Sequence, residues 1–280
     1  MRDLLSGKLT PEEIRRVFNS YDVVGDIAII RLDDSMLSKA EIIAEAIMQT
    51  QKRVKTVLRQ ASPVEGTFRT RRLMWVRGEK CTETEYKEFG CRFRVDLAKV
   101  YFSPRLSHER MRIARKVAYG EVIVNMFAGV GTYSIIIAKY ANPRKVYSID
   151  ISPYAFQYMV ENIKLNKVGN VVEPILGDAR KVIEESLTGV ADRVLMPLPE
   201  KAIEYVDSAI SALKPGGGWI HYYSFEHARR DEDPIKKSIE SLDEKLKSLG
   251  VDYEVAFGRI VRETGPNWYQ VALDIRVKKE

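Results

Sequence analysis

Three short stretches of this chain carry residue types at spacings suited to holding a nucleoside. Asn125-Met126-Phe127-Ala128-Gly129-Val130-Gly131 closes an apolar run, and its small residues let a ligand approach the backbone closely. A dinucleotide loop would continue as G-x-G-x-x-G. Here position 134 is Ser and the first glycine follows Phe-Ala, which favours an adenosyl ligand without a pyrophosphate. Asp150 stands 19 residues beyond Gly131, at the end of a second apolar run, where a carboxylate can accept both ribose hydroxyls. Asp178-Ala179 follows a third run; an acid there can meet an adenine amino group, with the Ala179 backbone beside the ring. Taken singly, each aspartate could equally cap a helix, and the glycine loop could equally be a structural strand-to-helix turn. A fourth stretch, Met196-Pro197-Leu198-Pro199, has two prolines one residue apart. They predict a rigid extended segment short of two N–H donors, with carbonyls left to face a substrate. Cys81 and Cys91 make no metal site with the scattered His108, His221 and His227, and are expected to be free thiols.

These stretches need a scaffold that brings them to one edge. From residue 122 onward apolar strands alternate with helices: strands at 122–127, 145–150, 171–176, 193–198 and 217–223, helices near 132–141, 153–166, 179–186 and 201–213. Such βα units predict a mostly parallel sheet covered on both faces, with ligands at the strand C-termini. A charged helix near 234–249 and strands at 252–262 and 268–277, joined by Thr264-Gly265-Pro266-Asn267, predict a closing antiparallel hairpin. Residues before Pro104 read differently. Thr10-Pro11-Glu12-Glu13 is a helix start, 23–32 a strand with a Gly-Asp turn, 38–50 a helix, 54–60 a strand, and 72–102 hold further strands. In the last of these, Phe93, Val95 and Leu97 share one face and Arg92 and Arg94 the other. With roughly 150 residues per domain as a guide, 280 residues make two: a small α+β domain over 1–102 and an α/β domain over 103–280.

Charge is distributed unevenly. The net is +6, yet residues 1–120 hold 24 Lys/Arg against 16 Asp/Glu, while the remainder holds 21 against 23. The basic groups of 52–72 and 92–116, interleaved with Phe68, Trp75, Phe93 and Tyr101, suit a polyanion with splayed bases, so nucleic acid is the expected partner. No apolar run approaches the roughly 20 residues of a membrane-spanning helix. The opening MRDLLSGKLTPEEIRR has no apolar signal core, so the chain is expected to be cytoplasmic.

The glycine loop, Asp150 and Asp178 at successive strand ends resemble the S-adenosylmethionine site of Rossmann-like class I methyltransferases, which also end in an antiparallel hairpin. FRTR (68–71), GCRFRVDLAKVYFSPRLSHER (90–110), NMFAGVG (125–131) and HYY (221–223) resemble archaeal-type tRNA (guanine-37, N1) methyltransferases and their wybutosine-synthesis relatives, over roughly residues 20–280. That resemblance implies a monomer that methylates the purine beside the anticodon, with the tRNA anticodon stem-loop as partner. Glu109 is the implied base for N1, Arg69 the implied stabiliser of charge on O6, and Pro199 completes the catalytic set. It places Arg110, Phe127, Gly129, Gly131, Asp150, Ile151, Asp178, Ala179 and Pro197 around the cofactor. Arg105 is expected to order its loop or meet phosphate.

Two departures matter. Pro197 stands where amino-methyltransferases commonly carry the Asn of Asn-Pro-Pro or Asn-Leu-Pro, and no room is expected for an N-terminal domain that grips the tRNA elbow. Both favour a relative that transfers the 3-amino-3-carboxypropyl group to a tricyclic base, whereas FRTR and SPRL favour guanine methylation. Methylation of the tricyclic base's carbon and a non-catalytic RNA-binding protein are the other readings. Read as ordinary helix-surface residues, Glu109 and Arg112 would be solvated.

Overall fold

The computed structural model describes residues 2–19, 21–63, 65–66 and 68–279. They form two compact units, Met1–Arg105 and Leu106–Glu280. The first unit opens with α1 (Arg2–Leu5) and α2 (Pro11–Asn19). Thr10 and Glu13 bond reciprocally, Glu13 N–H to Thr10 Oγ1 at 3.3 Å and Thr10 N–H to Glu13 Oε2 at 2.8 Å, so the start signal acts as a capping box. The stretch read as one strand folds back at Gly25-Asp26 into β1 (Tyr21–Val24) and β2 (Ile27–Ile30). Then come α3 (Ala40–Thr50), β3 (Thr56–Gln60) and β4 (Leu73–Gly78), giving a sheet of order β1-β2-β3-β4 with β2 and β3 parallel across α3. The α3 residues Ile43, Ala44 and Ile47 sit at helical spacing and bury against Ala28, Ile30 and Val57 in one apolar core. A separate hairpin, β5 (Glu83–Glu88) and β6 (Cys91–Asp96), buries Phe93 completely and leaves Arg92 and Arg94 outside, as strand alternation predicts. Cys81, exposed, and Cys91, buried, are thiols not joined in a disulfide.

The second unit is built on a seven-stranded sheet. It comprises α4 (Ser107–Ala114), β7 (Val122–Asn125), α5 (Thr132–Tyr140), β8 (Lys145–Asp150), α6 (Pro153–Leu165), β9 (Val172–Leu176), α7 (Ala179–Val182), β10 (Arg193–Met196), α8 (Val206–Ala212), β11 (Gly218–His227), α9 (Pro234–Ser248), β12 (Asp252–Gly265) and β13 (Trp268–Lys278). Two of the expected helices are composite: α7 runs on as a π turn over Ile183–Leu187, and α8 is entered through a 3-10 turn at Ala202–Tyr205. The order is β12-β13-β11-β10-β7-β8-β9, parallel from β11 to β9 and antiparallel around β13. Central β7 and β10 are buried at every residue, which explains their unbroken apolar character. Strand order reverses direction between β7 and β10, so the crevice beyond their C-terminal ends is the place for a ligand.

The sheet's margins are irregular. Edge strand β12 slips register between Val255 and Phe257, Ile260 and Arg262, and Glu263 and Gly265. Edge strand β9 carries Pro174 opposite Ser148. Among the described residues no helix is long and apolar enough to cross a membrane, and no three His, Cys, Asp or Glu side chains are grouped to hold a metal ion.

Candidate active site

Asp150 is the last residue of β8, and its carboxylate organises the crevice. Oδ2 accepts the Gly129 N–H at 2.6 Å and Oδ1 the Ser152 N–H at 2.9 Å. The cap of α6 is Ser152, which accepts from Ala155 N–H, so Asp150 is not a helix cap. Burial raises the Asp150 pKa, against the pull of those two N–H donors. Gly129 has φ +56°, and a Cβ there would meet nothing within 4 Å: the loop needs glycine for its backbone and faces open space. Gly131, φ +86°, opens α5, and a Cβ there would lie 3.1 Å from the Met159 side chain.

Beside Asp150 the surface is apolar. Ile151 is 46% exposed, and Leu176, paired with Asp150 across β8 and β9, is 47% exposed. Exposed aliphatic side chains flanking a half-buried acid suit a flat ring attached to a ribose. Phe127 is half-buried and meets Tyr205 edge-on at 5.2 Å. The Tyr205 hydroxyl donates to Asp178 Oδ2 at 2.8 Å; burial, then this bond, pushes the phenol up to about 12. Asp178 Oδ1 accepts from Arg180 N–H at 3.0 Å, so this aspartate does cap α7, with buried Ala179 next to it. A carboxylate offers about four lone-pair sites. Asp150 uses two on protein donors and Asp178 three, from Arg180, Lys181 and Tyr205, so each keeps room for a ligand donor and the residues present fit an adenosyl group.

The proline loop departs from the sequence reading. It is not an extended strip of free carbonyls: Leu198 N–H turns back to the Met196 carbonyl at 2.9 Å, and the Leu198 carbonyl accepts from Lys201 and Ala202. Two carbonyls are thus spent within the turn. Pro197 is half-buried and Pro199 buried.

Glu109 projects from α4 and is 2% exposed, not a solvated helix-surface charge. Oε1 accepts the Tyr223 hydroxyl and Arg112 Nη2, both at 2.7 Å; Oε2 accepts Arg112 Nε at 2.9 Å. Arg112, with 13% of its side chain exposed, is equally internal. Its pKa, which burial alone would lower, is pushed up by its bonds to Glu109 and Asp274. The arrangement fixes the Glu109 carboxyl inside the protein between a guanidinium and a phenol. Arg110, next on the helix, is 2% exposed. The sequence reading did not find Tyr223, although HYY was singled out. Arg112 was missed because a Glu-Arg pair three apart on a helix reads as a surface pair.

Arg69 belongs to the first unit. It has φ +54°, uncommon for a residue with a side chain, and its guanidinium lies 4.2 Å from the Tyr101 ring centroid. Arg105, in the same unit, is ordered by Asp22 at 2.7 Å. The run 92–116 is no single basic face: Arg92 pairs with Glu85, Arg94 with Glu83, and Arg110 and Arg112 are internal. Lys52, Arg53 and Lys55 are exposed, and so are Phe68 and Trp75.

A parallel sheet with its switch point between β7 and β10, a Gly129 loop tied to an acid at the end of β8 and an antiparallel close define a Rossmann-like class I methyltransferase fold. The TRM5/TYW2 methyltransferase domain family matches residues 84–255, and the TYW2 N-terminal domain family matches residues 1–82. The chain belongs to the TRM5/TYW2 methyltransferase family. It is 44% identical to tRNA (guanine(37)-N(1))-methyltransferase Trm5b of Pyrococcus abyssi, covering 95% of this chain and 78% of that one. It is 38% identical to tRNA 4-demethylwyosine(37)-methyltransferase Taw21 of Saccharolobus solfataricus, covering 93% and 94%. The crystal structure of P. horikoshii TYW2 in complex with MeSAdo superposes with a TM-score of 0.81 at 30% identity, covering all of this chain and 98% of that one.

Proposed function

We propose that this chain is an S-adenosylmethionine-dependent tRNA methyltransferase acting at N1 of the guanine at position 37, beside the anticodon. Guanine N1 holds a proton near neutral pH, so the reaction needs an acceptor for that proton and a cation for the charge that gathers on O6. Glu109, buried and held as a carboxylate by Arg112 and Tyr223, is the observation that carries the reading. It takes the N1 proton, and Arg69 is assigned the charge on O6. When bound, S-adenosylmethionine supplies an electrophilic methyl group on a sulfonium. Asp150 accepts its ribose hydroxyls, Phe127, Ile151, Asp178 and Ala179 receive its adenine, and Gly129, Gly131, Arg110 and Pro197 complete its surroundings. Pro199 supports the substrate side. The name of the P. abyssi relative and the FRTR and SPRLSHER motifs support guanine as the substrate. The first unit is the RNA-contacting part, the anticodon stem-loop is the element bound, and the chain acts as a monomer in the cytoplasm.

A second reading has its own support. Pro197 replaces the expected Asn, residues 1–82 match a TYW2 N-terminal domain, and the chain covers 98% of P. horikoshii TYW2. This reading is transfer of the 3-amino-3-carboxypropyl group to a tricyclic base. Unmodified tRNA and tRNA already carrying the tricyclic base, each incubated with cofactor labelled in the methyl or in the carboxyl carbon, separate the two. Methyl label alone should enter the RNA; entry of carboxyl label would replace the first reading with the second.

A further inference from the structure

A chain of buried polar side chains extends from Glu109 across the sheet. Arg112 reaches Asp274 on β13 with Nη1 to Oδ2 at 2.7 Å and Nη2 to Oδ1 at 3.1 Å, while its Nε and Nη2 hold Glu109. Asp274 is 1% exposed. It also meets Lys116 Nζ at 3.1 Å and His221 Nδ1 at 2.6 Å. His221 Nε2 lies 2.7 Å from Arg193 Nη1. A guanidinium only donates, so Nε2 must accept, which leaves the single proton of a neutral imidazole on Nδ1, directed at Asp274. Burial lowers the His221 pKa and agrees with that form. Arg193 in turn is clamped by Glu121 at 2.7 and 2.9 Å, and so fixes the imidazole.

The charges explain why the chain is there. With Glu109 ionised, one internal guanidinium sits between two internal carboxylates. Were Asp274 absent, a proton arriving on Glu109 would leave Arg112 as an unpaired buried cation, which is costly. With Asp274 present, Arg112 keeps a full counter-ion whether Glu109 is charged or neutral. The second carboxylate also opposes a charge on Glu109 across Arg112. One oxygen has room for that proton. Oε1 is filled by Tyr223 and Arg112, whereas the second neighbour of Oε2, Arg259 Nη1, stands at 3.6 Å, beyond hydrogen-bond reach.

We propose that Asp274 is a positioning residue for methyl transfer: by holding Arg112 through both protonation states of Glu109, it makes Glu109 Oε2 a usable acceptor for the substrate proton. The inference rests on the reading of Glu109 as that acceptor. The groups facing the pair are Arg112 and Lys116 from α4 and its end, His221 and Tyr223 from β11, Arg193 from β10, Arg259 from β12, and Tyr133 from α5, whose hydroxyl is 3.4 Å from that of Tyr223. In this set Asp274 is the carboxylate opposed to Glu109 across Arg112.

The test is single-turnover methyl transfer to unmodified tRNA as a function of pH. Glu109→Gln should lose about 10²–10⁴-fold in rate. Asp274→Asn removes the opposing charge, so Glu109 becomes a weaker base. The rate at neutral pH should fall about tenfold, and the acid limb of the profile should move down by about one pH unit. Arg112→Lys removes donors from the ionised Glu109, so its limb should move up. Asp274→Asn added to Glu109→Gln should cost nothing further, which a purely structural role would not give. A wild-type rate for Glu109→Gln would overturn the assignment of Glu109. A slow Glu109→Gln together with an unshifted acid limb in Asp274→Asn would overturn the role of Asp274 alone. If Asp274→Asn fails to fold, Asp274→Ser, which also removes the charge, is read in the same way.

Discussion

Glu109 is a buried carboxylate and Asp150 a half-buried one, and they are held by different donors. Asp150 is tied by backbone N–H groups, and the proposed function gives its remaining lone pairs to the cofactor. Glu109 is tied by a guanidinium and a phenol, and the proposed function gives its Oε2 the substrate proton. Asp150→Ala should therefore weaken S-adenosylmethionine and not tRNA. Lost hydrogen bonds to a charged acceptor cost about 1.5–3 kcal/mol each, at least tenfold in affinity. Calorimetry against the wild type checks this, and unchanged affinity would remove Asp150 from the cofactor site. At this scale the sequence located the acids but not their partners. Glu109 and Asp274 are 165 positions apart, and nothing local in either segment signals that one arginine serves both. The ambiguity over aspartate caps was also real: Asp178 is a cap and Asp150 is not, and only the backbone geometry beyond each tells them apart.

Helices and strands were far more legible, because their signals are local. The capping box at Thr10, the alternation around Phe93 and the apolar runs of β7 to β11 all produced the elements they indicate. What escaped was composite geometry, such as the π turn at Ile183–Leu187 and the turn that consumes the Met196 and Leu198 carbonyls. Each is set by packing around it, not by its own residue pattern. Helix α9 shows the local kind of determinant: Asp233 accepts the Ile235 N–H at 2.8 Å, Pro234 begins the helix, and Leu242 and Leu246 bury in the sheet's core. Asp233→Ala should cost about 1 kcal/mol. In a unit of this size that lowers the melting temperature by roughly 2–4 °C, measurable by scanning calorimetry.

For the whole molecule, the excess positive charge of the first 120 residues remains the broadest clue to an RNA partner, but the structure sorts it. Several arginines of 92–116 are paired with carboxylates, and of the exposed Lys52, Arg53 and Lys55 the last stands 3.8 Å from Asp26. If these three meet phosphates, replacing all of them with Ala should weaken every tRNA alike. The log–log salt slope should become shallower by somewhat less than one unit per contact. Filter binding from low to high salt reads both quantities, and an unchanged slope would move the RNA surface elsewhere.

The ragged margins of the seven-stranded sheet also bear on how the chain behaves in a crowded solution. A straight outer strand is a template on which another molecule can add a strand, and repetition of that step builds fibres. Here β9 presents Pro174, which has no N–H to offer. The exposed Phe257 and Ile260 lie on a strand whose three register slips break any continuous ladder. The seven-stranded sheet therefore ends where its own chain ends it, and it offers another copy no regular edge on which to add a strand.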